Sequence, residues 1–245
     1  GDAACIPFFC MHYLYRAAKN AVMDKALLEY LLQFVSVHKK NLFRRIIAHR
    51  TRYLTLVLED LYQPHNASAC LRSADSFGIQ DVHVIENENA FYINPKITVG
   101  ASQWLTLHHY NQQQWNTQNA IDALRAQGYR IVATTPHAND VSLEAFDLSK
   151  GKAAFLFGGE MRGLSATALE NADEYLKIPM MGFTESLNIS VSAALTMHHL
   201  SWQLRQSDIQ WQLAPDKQHE IMLQWARQSI KRVDLIEEDF YRRRQ

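Results

Sequence analysis

Apolar residues recur along the chain with two different periods, and these periods predict the order of the secondary structure. Between residues 11 and 50 the period is helical, and no proline or glycine interrupts it, which predicts two helices. From residue 53 onward, short runs rich in β-branched and aromatic residues predict six strands. These runs are YLTLVLED, DVHVIE, part of SQWLTLHHY, YRIVATT, KAAFLFGGE and EYLKIPM.

Helical patterns separate most of these strands. One helix is predicted to begin at Pro64 and to end before Gly78, and another ends before Gly128, because glycine readily adopts the left-handed conformation that closes a helix. Ser165 is the predicted N-cap of a short helix, and a long helix follows the sequence SLN. Strands that alternate with helices predict an α/β fold, with a mostly parallel sheet and helices on both faces.

The predicted elements divide the chain into three parts. A basic helical extension covers residues 1–50, a core covers 51–205, and a second helical extension covers 206–245. The 245 residues are 47% hydrophobic, which is enough for a sizeable core. No run of about 18 uncharged apolar residues is present, so we expect no membrane span. Three cysteines do not suit a disulfide scaffold, and we expect a cytoplasmic protein.

Charge is unevenly distributed, although the chain as a whole is neutral. Between residues 16 and 52 there are nine lysines and arginines against two acids, Asp24 and Glu29. This excess indicates a polyanionic partner, but a solvated helix face explains it equally well.

Three polar or glycine-rich segments follow predicted strands. They cover residues 66–72, 158–163 and 180–188. Because the carboxyl ends of parallel strands meet at one edge of a sheet, where ligands bind, we expect the three segments to form one shared site.

Several common catalytic motifs are missing. The sequence GGEMRG lacks the lysine and the serine or threonine that a P-loop needs to bind phosphate and magnesium. No G-x-G-x-x-G follows the first strand, which disfavours a dinucleotide-dependent oxidoreductase, and no G-x-S-x-G hydrolase motif is present. CxxC and HExxH are also absent, so we expect no metal site.

Read together, the segments NASACLR, LFGGEMRGLS and IPMMGFTESLNISVSAAL closely resemble the three signature motifs of the SpoU (TrmH) family of SPOUT methyltransferases. The resemblance covers residues 53–205, with the same motif order and spacing. It implies a C-terminal part threaded as a deep trefoil knot that binds S-adenosylmethionine. It also implies a homodimer whose active site is completed across the subunit interface, and methylation of a ribose 2′-hydroxyl in RNA.

The resemblance implies catalytic roles for five residues. Arg72 would hold a phosphate and stabilise the ribose oxygen as it takes the methyl group, because a planar guanidinium suits both tasks. Asn66 would support Arg72 or contact the ribose-phosphate, and Glu160 would orient Arg72 or bind the target nucleotide. Ser186 and Asn188 would enter the site at a helix N-terminus. Ser186 also suits the N-cap position there, whereas Asn188 is harder to explain as a cap.

A second set of residues is expected to bind the cofactor. Apolar side chains would form walls around it, and the paired glycines would let the backbone approach it closely, although a tight turn explains the glycines equally well. The set comprises Thr134, Phe157, Gly158, Gly159, Ile178, Met180 and Leu187.

The expected substrate is tRNA, with the D-loop guanosine as the favoured target. The N-terminal extension reads as helical, unlike the small α/β RNA-binding domain of relatives that modify large-subunit rRNA. Three alternatives stay open: 23S rRNA, the tRNA wobble ribose, and a non-catalytic RNA-binding module of the same fold. The candidate phosphate contacts are Arg44, Arg45, Arg50 and Arg52.

Overall fold

The structure is a computed structural model that describes residues 24–112, 114–136 and 140–244. In chain order, its main elements are α1 (residues 24–32), α2 (Val37–Ile47), β1 (Leu54–Glu59), α3 (Pro64–Ser76), β2 (Asp81–Ile85), α4 (Pro95–Thr98), β3 (Thr106–Tyr110), α5 (Asn116–Ala126), β4 (Arg130–Thr134), β5 (Val141–Ser142), β6 (Ala153–Gly158), α6 (Ala166–Glu170), β7 (Glu174–Lys177), α7 (Ile189–Gln206), α8 (Pro215–Ser229) and α9 (Val233–Arg242). Three short 3₁₀ helices lie at Ala101–Trp104, Leu143–Ala145 and Leu148–Lys150.

The chain divides into two compact units. The larger comprises residues 50–212, and the smaller combines the described residues before 50 with those from 213 onward. The smaller unit has its own core, in which Leu27 and Leu31 of α1 lie with Leu223 of α8 and Phe240 of α9. The two extensions that the sequence analysis treats separately therefore belong to one unit, because neither amphipathic segment can bury its apolar face alone.

A seven-stranded sheet forms the centre of the larger unit. Its strand order is β3-β2-β1-β6-β4-β7-β5, and every neighbouring pair of strands is parallel. The predicted parallel α/β fold is confirmed. Six of the seven strands match predicted runs, whereas β5 has only two residues and is too short to give a period-2 pattern.

Helices cover both faces of the sheet, as the alternation of side chains along β1 demonstrates. Leu56 packs in the same cluster as Cys70 of α3 and Met197 of α7. Val57, the next residue, packs instead with Ile121 of α5. Successive side chains of a strand point to opposite faces, so β1 contributes to both cores and lies buried along its whole length.

Glycines end two helices as predicted. Gly78 after α3 and Gly128 after α5 have φ angles of 78° and 82°, in the left-handed region that glycine adopts without strain. The cap of α6 is also confirmed, because the Ser165 hydroxyl accepts a hydrogen bond from the Ala168 N–H at 3.1 Å. The trefoil knot stays a prediction, since strand order and register do not establish it.

Candidate active site

The three polar segments lie after three strands of the parallel sheet. Asn66 belongs to the first turn of α3, which follows β1. Glu160 lies two residues beyond the end of β6, which pairs directly with β1, and Asn188 follows β7 and precedes α7. All three residues are therefore carried to the carboxyl edge of the sheet.

Asn66 joins the three segments through its side-chain amide. Its Nδ2 donates to Oε1 of Glu160 at 2.6 Å, and its Oδ1 accepts from Nδ2 of Asn188 at 3.1 Å. Asn66 is only 1% exposed, so these partners replace the hydrogen bonds that water would otherwise make. The predicted convergence of the three segments is confirmed at these three side chains, which we call the amide–carboxylate cluster.

Glu160 is held as a carboxylate in this cluster. Partial burial by itself would raise the pKa of Glu160, but the hydrogen bonds donated by Asn66 and by nearby backbone N–H groups outweigh that effect. One of these is the Tyr62 N–H, which donates to Oε2 at 3.2 Å. The net result is a pKa below the ordinary value, so the side chain is an acceptor, not a proton donor, at neutral pH.

The N-cap of α7 is Asn188. Its Oδ1 accepts from the Ser190 N–H at 2.9 Å and from the Ser190 hydroxyl at 2.7 Å, while its Nδ2 points to Asn66. The N-cap position is therefore occupied by Asn188 and not by Ser186, which is an exposed residue two positions before the cap. One amide thus caps the helix and fixes the orientation of Asn66.

Arg72 does not enter the amide–carboxylate cluster of its own chain. It lies on α3 six residues after Asn66, which on a regular helix means about 9 Å further along the axis and about 120° around it. Its side chain is exposed, and among the residues that the structure describes its guanidinium makes no ion pair or side-chain hydrogen bond.

The glycines after β6 are required by close approaches within the protein. A Cβ on Gly158 would lie 2.0 Å from the carbonyl carbon of Gly163, and one on Gly159 would lie 2.5 Å from the carbonyl oxygen of Asp60. The Gly163 N–H donates to the Gly159 oxygen at 2.9 Å, which closes the turn. The tight-turn explanation therefore accounts for both glycines, and the turn places Glu160 opposite Asn66.

Two acidic residues at the end of β1 hold the loops around the site, and the sequence analysis missed them. Glu59 is buried and accepts from the Thr117 hydroxyl at 2.6 Å and from the Ser165 N–H at 2.8 Å. Asp60 has a left-handed φ of 51°, and its carboxylate accepts from the Asn87 N–H at 2.7 Å. The sequence feature that could have revealed them is the acidic pair Glu59 and Asp60 at the end of an otherwise apolar strand.

A comparison with known protein families identifies the family of this chain. The sequence model of the SpoU rRNA Methylase family matches residues 53–198, which include all three members of the amide–carboxylate cluster. The chain belongs to the SpoU methylase family. Its members are RNA methyltransferases that use S-adenosylmethionine, so this chain is an enzyme of that class.

Curated SpoU methylases resemble the chain over most of its length. A tRNA (guanosine(18)-2′-O)-methyltransferase of Borreliella burgdorferi is 42% identical over 207 residues, which are 84% of this chain and 93% of that protein. The 23S rRNA (guanosine-2′-O-)-methyltransferase RlmB of Coxiella burnetii is 32% identical and covers 62% of this chain and 60% of its own.

Solved structures agree on the fold. The crystal structure of an Aquifex aeolicus TrmH/SpoU tRNA modifying enzyme matches with a TM-score of 0.69 at 23% identity, covering 80% of this chain and 98% of that one. The SpoU methyltransferase AviRb of Streptomyces viridochromogenes, solved in complex with AdoMet, matches with a TM-score of 0.55 at 24% identity, over 66% and 64% of the two chains.

The segment after β7 of this SpoU methylase fits S-adenosylmethionine. Ile178, Met180 and Leu187 are each only partly buried, so an apolar ligand surface can still cover them. Two other expected contacts are already engaged within the sheet: Phe157 is buried in its core, and the Thr134 hydroxyl donates to the Leu156 oxygen at 2.7 Å. Among the expected cofactor contacts, those of the third motif are therefore the ones still available to form apolar walls.

The four predicted phosphate contacts divide into two groups. Arg44 and Arg45 are exposed on α2. Arg50 is 2% exposed, forms an ion pair with Asp75 and donates to the Ile79 oxygen at 3.1 Å, and its burial lowers its pKa. Arg52 pairs with the buried Asp81 at 2.9 Å. The geometry of Arg50 and Arg52 thus contradicts a phosphate contact, because each guanidinium neutralises a carboxylate of its own fold.

No group of three or more histidine, cysteine or acidic side chains suited to a metal occurs in residues 24–112, 114–136 and 140–244. Over the same residues, no helix combines the length and the hydropathy needed to cross a membrane.

Proposed function

We propose that this SpoU methylase transfers the methyl group of S-adenosylmethionine to the ribose 2′-oxygen of a guanosine in the D loop of tRNA. The observation that carries the proposal is the hydrogen bonding of Asn66 to both Glu160 and Asn188, which joins the three family motifs. The tRNA target rests on the named activity of the Borreliella burgdorferi relative, which covers most of the chain.

The proposed chemistry needs a positioned hydroxyl and a stabilised oxygen. When bound, S-adenosylmethionine supplies a sulfonium methyl group that is open to in-line attack. The ionised Glu160, oriented by Asn66, accepts a hydrogen bond from the target ribose and fixes its position. Arg72 holds the adjacent phosphate and stabilises the negative charge that develops on the 2′-oxygen as the hydroxyl proton passes to that phosphate. The bond from the methyl carbon to sulfur breaks as the bond to the 2′-oxygen forms, and S-adenosylhomocysteine leaves. Arginine has only N–H donors and no acceptor, so Arg72 is not the base.

The same proposal includes a homodimer. Val191, Leu195, His198 and Trp202 recur along α7 at spacings of four, three and four residues, which places them on one helix face. All four are exposed, and Trp202 is 63% exposed, although large apolar side chains are usually buried in a partner interface or in the core. A second copy would cover this stripe. The Arg72 guanidinium lies outside the amide–carboxylate cluster of its own chain. In the dimer it would act in an active site that residues of both subunits complete.

The exposed Arg44 and Arg45 on α2 are the proposed phosphate contacts of the tRNA outside the active site. A tRNA substrate also implies a cytoplasmic location, which agrees with the small number of cysteines. Ribosomal RNA is the second candidate substrate, because the Coxiella burnetii relative is named as a 23S rRNA enzyme.

The experiment that tests the function compares defined RNA substrates. The enzyme would be incubated with labelled S-adenosylmethionine and a tRNA transcript, the same transcript with 2′-deoxyguanosine at the D-loop target, or a 23S rRNA fragment. We expect one 2′-O-methylguanosine in the D loop of the first transcript and no label in the second. Methylation of the rRNA fragment but not of the tRNA transcript would identify rRNA as the substrate in place of tRNA. Labelling of the deoxy transcript would exclude methylation of the ribose 2′-oxygen.

A further inference from the structure

A cleft of about 360 Å³ opens beside the amide–carboxylate cluster. One wall is formed by the segment before and at the start of α3, and the other by the loop that follows β2. The residues that line it include Tyr62, Gln63 and Pro64 on the first wall and Glu88, Asn89 and Tyr92 on the second.

Two aromatic rings face solvent in this cleft. Tyr62 is 70% exposed and Tyr92 is 66% exposed. A single surface tyrosine needs no explanation, but two of them from separate segments line one cavity. Unpaired nucleobases bind in such places by stacking on aromatic side chains, because every base has a flat π-face.

Both walls of the cleft are held in place by hydrogen bonds. The Tyr62 N–H donates to Glu160, which fixes the first wall to the glycine turn. On the second wall, the N–H groups of Glu88 and Asn89 donate to the Asp60 carboxylate at 2.9 and 3.3 Å. The two rings are therefore carried on pre-organised backbone, which lowers the conformational entropy lost when a ligand binds.

The position of the cleft relates it to the proposed chemistry. Tyr62 and Asn66 donate to the two different oxygens of the same Glu160 carboxylate. A ribose that binds at Glu160 would therefore have its base within reach of the cleft wall that contains Tyr62.

One carboxylate in the cleft is oriented by a neighbouring arginine. The Arg162 Nη1 donates to both oxygens of Glu88, at 2.6 and 2.7 Å. A carboxylate has further lone pairs after accepting these bonds, and guanine presents two adjacent donors, the ring N–H and the exocyclic amine. Adenine presents one donor and one acceptor on the same edge, so a carboxylate discriminates between the two purines.

We propose that this cleft binds the base of the target nucleotide, stacked on Tyr62 and Tyr92, with Glu88 accepting hydrogen bonds from the guanine edge. The inference rests on the proposed function and extends it, because it locates the residues that recognise the target base. The ribose of the same nucleotide then lies at Glu160, where the methyl group is transferred.

The stacking role is tested with Tyr62→Ala, Tyr92→Ala and Tyr62→Phe. We expect each alanine variant to raise KM for the tRNA transcript about 10-fold or more, while the Kd of S-adenosylmethionine measured by calorimetry stays the same. Tyr62→Phe keeps the ring and should recover most of the lost affinity. Trp115→Ala removes an equally exposed aromatic, at 68%, and is the matched control.

Two outcomes would overturn the stacking role. Unchanged kinetic constants in both alanine variants would show that the rings do not contact the substrate. A weaker affinity for S-adenosylmethionine in Tyr62→Ala would assign the cleft to the adenine of the cofactor. Either result leaves the proposed function standing if the wild-type enzyme methylates the transcript, whereas a wild-type enzyme without activity on any RNA would remove both.

The recognition role is tested with a transcript that carries inosine at the target position. Inosine lacks the exocyclic amine, so the wild-type enzyme should prefer guanosine by about 10-fold, and Glu88→Gln should lose most of that preference. The same preference in the variant and in the wild-type enzyme would exclude Glu88 as the residue that reads the base.

Discussion

The Nδ2 atom of Asn66 lies 2.6 Å from Oε1 of Glu160, across 94 residues of chain. The same amide accepts a hydrogen bond from Asn188, and Asn188 is fixed in turn by the first turn of α7. Each side-chain amide can satisfy its partners in one orientation only. The Nδ2 of Asn188 therefore points to Asn66, and the Nδ2 of Asn66 points to the Glu160 carboxylate. Three segments that are distant in sequence thus fix the orientation of one acceptor, the Glu160 carboxylate.

Replacing Asn66 by aspartate should disable this arrangement. The variant puts a carboxylate beside Glu160 in place of a donor, which creates like-charge repulsion and removes the hydrogen bond that the partly buried Glu160 accepts, while Asn188 can still donate to residue 66. We expect methyl transfer to fall about 10- to 100-fold, and the free energy of unfolding to fall by about 2 kcal/mol. Steady-state kinetics and urea unfolding measure the two effects.

Asn171→Asp is the matched control for this variant. Asn171 makes its side-chain hydrogen bond to the Thr167 oxygen within α6, outside the amide–carboxylate cluster. Its replacement should leave kcat close to the wild-type value. Wild-type turnover in Asn66→Asp would show that the orientation of Glu160 does not matter for the reaction.

Glu160 should contribute to the acid sensitivity of the fold. A carboxylate whose pKa is lower in the folded protein stabilises it at pH values above the ordinary glutamate pKa of about 4.3. That contribution is lost as the pH falls through the folded-state pKa. Urea unfolding at a series of pH values should therefore show a shallower loss of stability below about pH 5 in Glu160→Gln than in the wild-type protein.

Glu144→Gln, at an exposed position of a 3₁₀ helix, is the control for the acid series. If Glu160→Gln and the wild-type protein lose stability in parallel from pH 6 to pH 3, then Glu160 is not held as a carboxylate by its hydrogen bonds.

The glycine turn should tolerate no side chain at Gly159. Gly159→Ala would place a methyl group 2.5 Å from the Asp60 oxygen, which must displace backbone and move Glu160. We expect a loss of about 1–3 kcal/mol in the free energy of unfolding together with a fall in kcat. In Gly182→Ala the nearest atom is the Thr184 hydroxyl at 3.8 Å, so this variant should be close to neutral. Equal stability of the two variants in urea would contradict the assigned close approach.

The exposed stripe of α7 should mediate self-association. Sedimentation of the wild-type protein should give a dimer, and Leu195→Glu should raise the dissociation constant by about 100-fold or more, because a charge would be buried in the interface. Gln127→Glu, an exposed position at the end of α5, adds the same charge and should stay dimeric. A monomeric wild-type protein, or a dimer that Leu195→Glu does not weaken, would remove the stripe from the interface.

The sequence predicted the strand runs and the shared edge because both follow from local rules. Strand patterns are short and periodic, and parallel strands must end at one edge. The meeting of residues 66, 160 and 188 could therefore be predicted without any knowledge of their contacts. The two-residue β5 was missed because it has no period to detect.

Other features depend on distant partners and were not predictable. The sequence alone does not distinguish Arg50 and Arg52 from exposed cations. In the structure each forms an ion pair with an acid more than 20 residues later, Arg50 with Asp75 and Arg52 with Asp81. The N-cap of α7 is Asn188 and not Ser186. The sequence could not decide between them, because only the folded helix shows which side chain reaches its free N–H groups. Glu59 could not be distinguished from a solvated acid before its partners Thr117 and Ser165 were known.

The proposed chemistry requires Arg72 to act on the target ribose in the site that Asn66, Glu160 and Asn188 define. The most direct measurement is single-turnover methylation of the tRNA transcript by Arg72→Ala, with the Kd of S-adenosylmethionine measured in parallel by calorimetry. We expect a rate about 100-fold or more below wild type with an unchanged Kd, and little recovery in Arg72→Lys, because an ammonium cannot replace the planar guanidinium. A wild-type rate in Arg72→Ala would exclude Arg72 from the reaction.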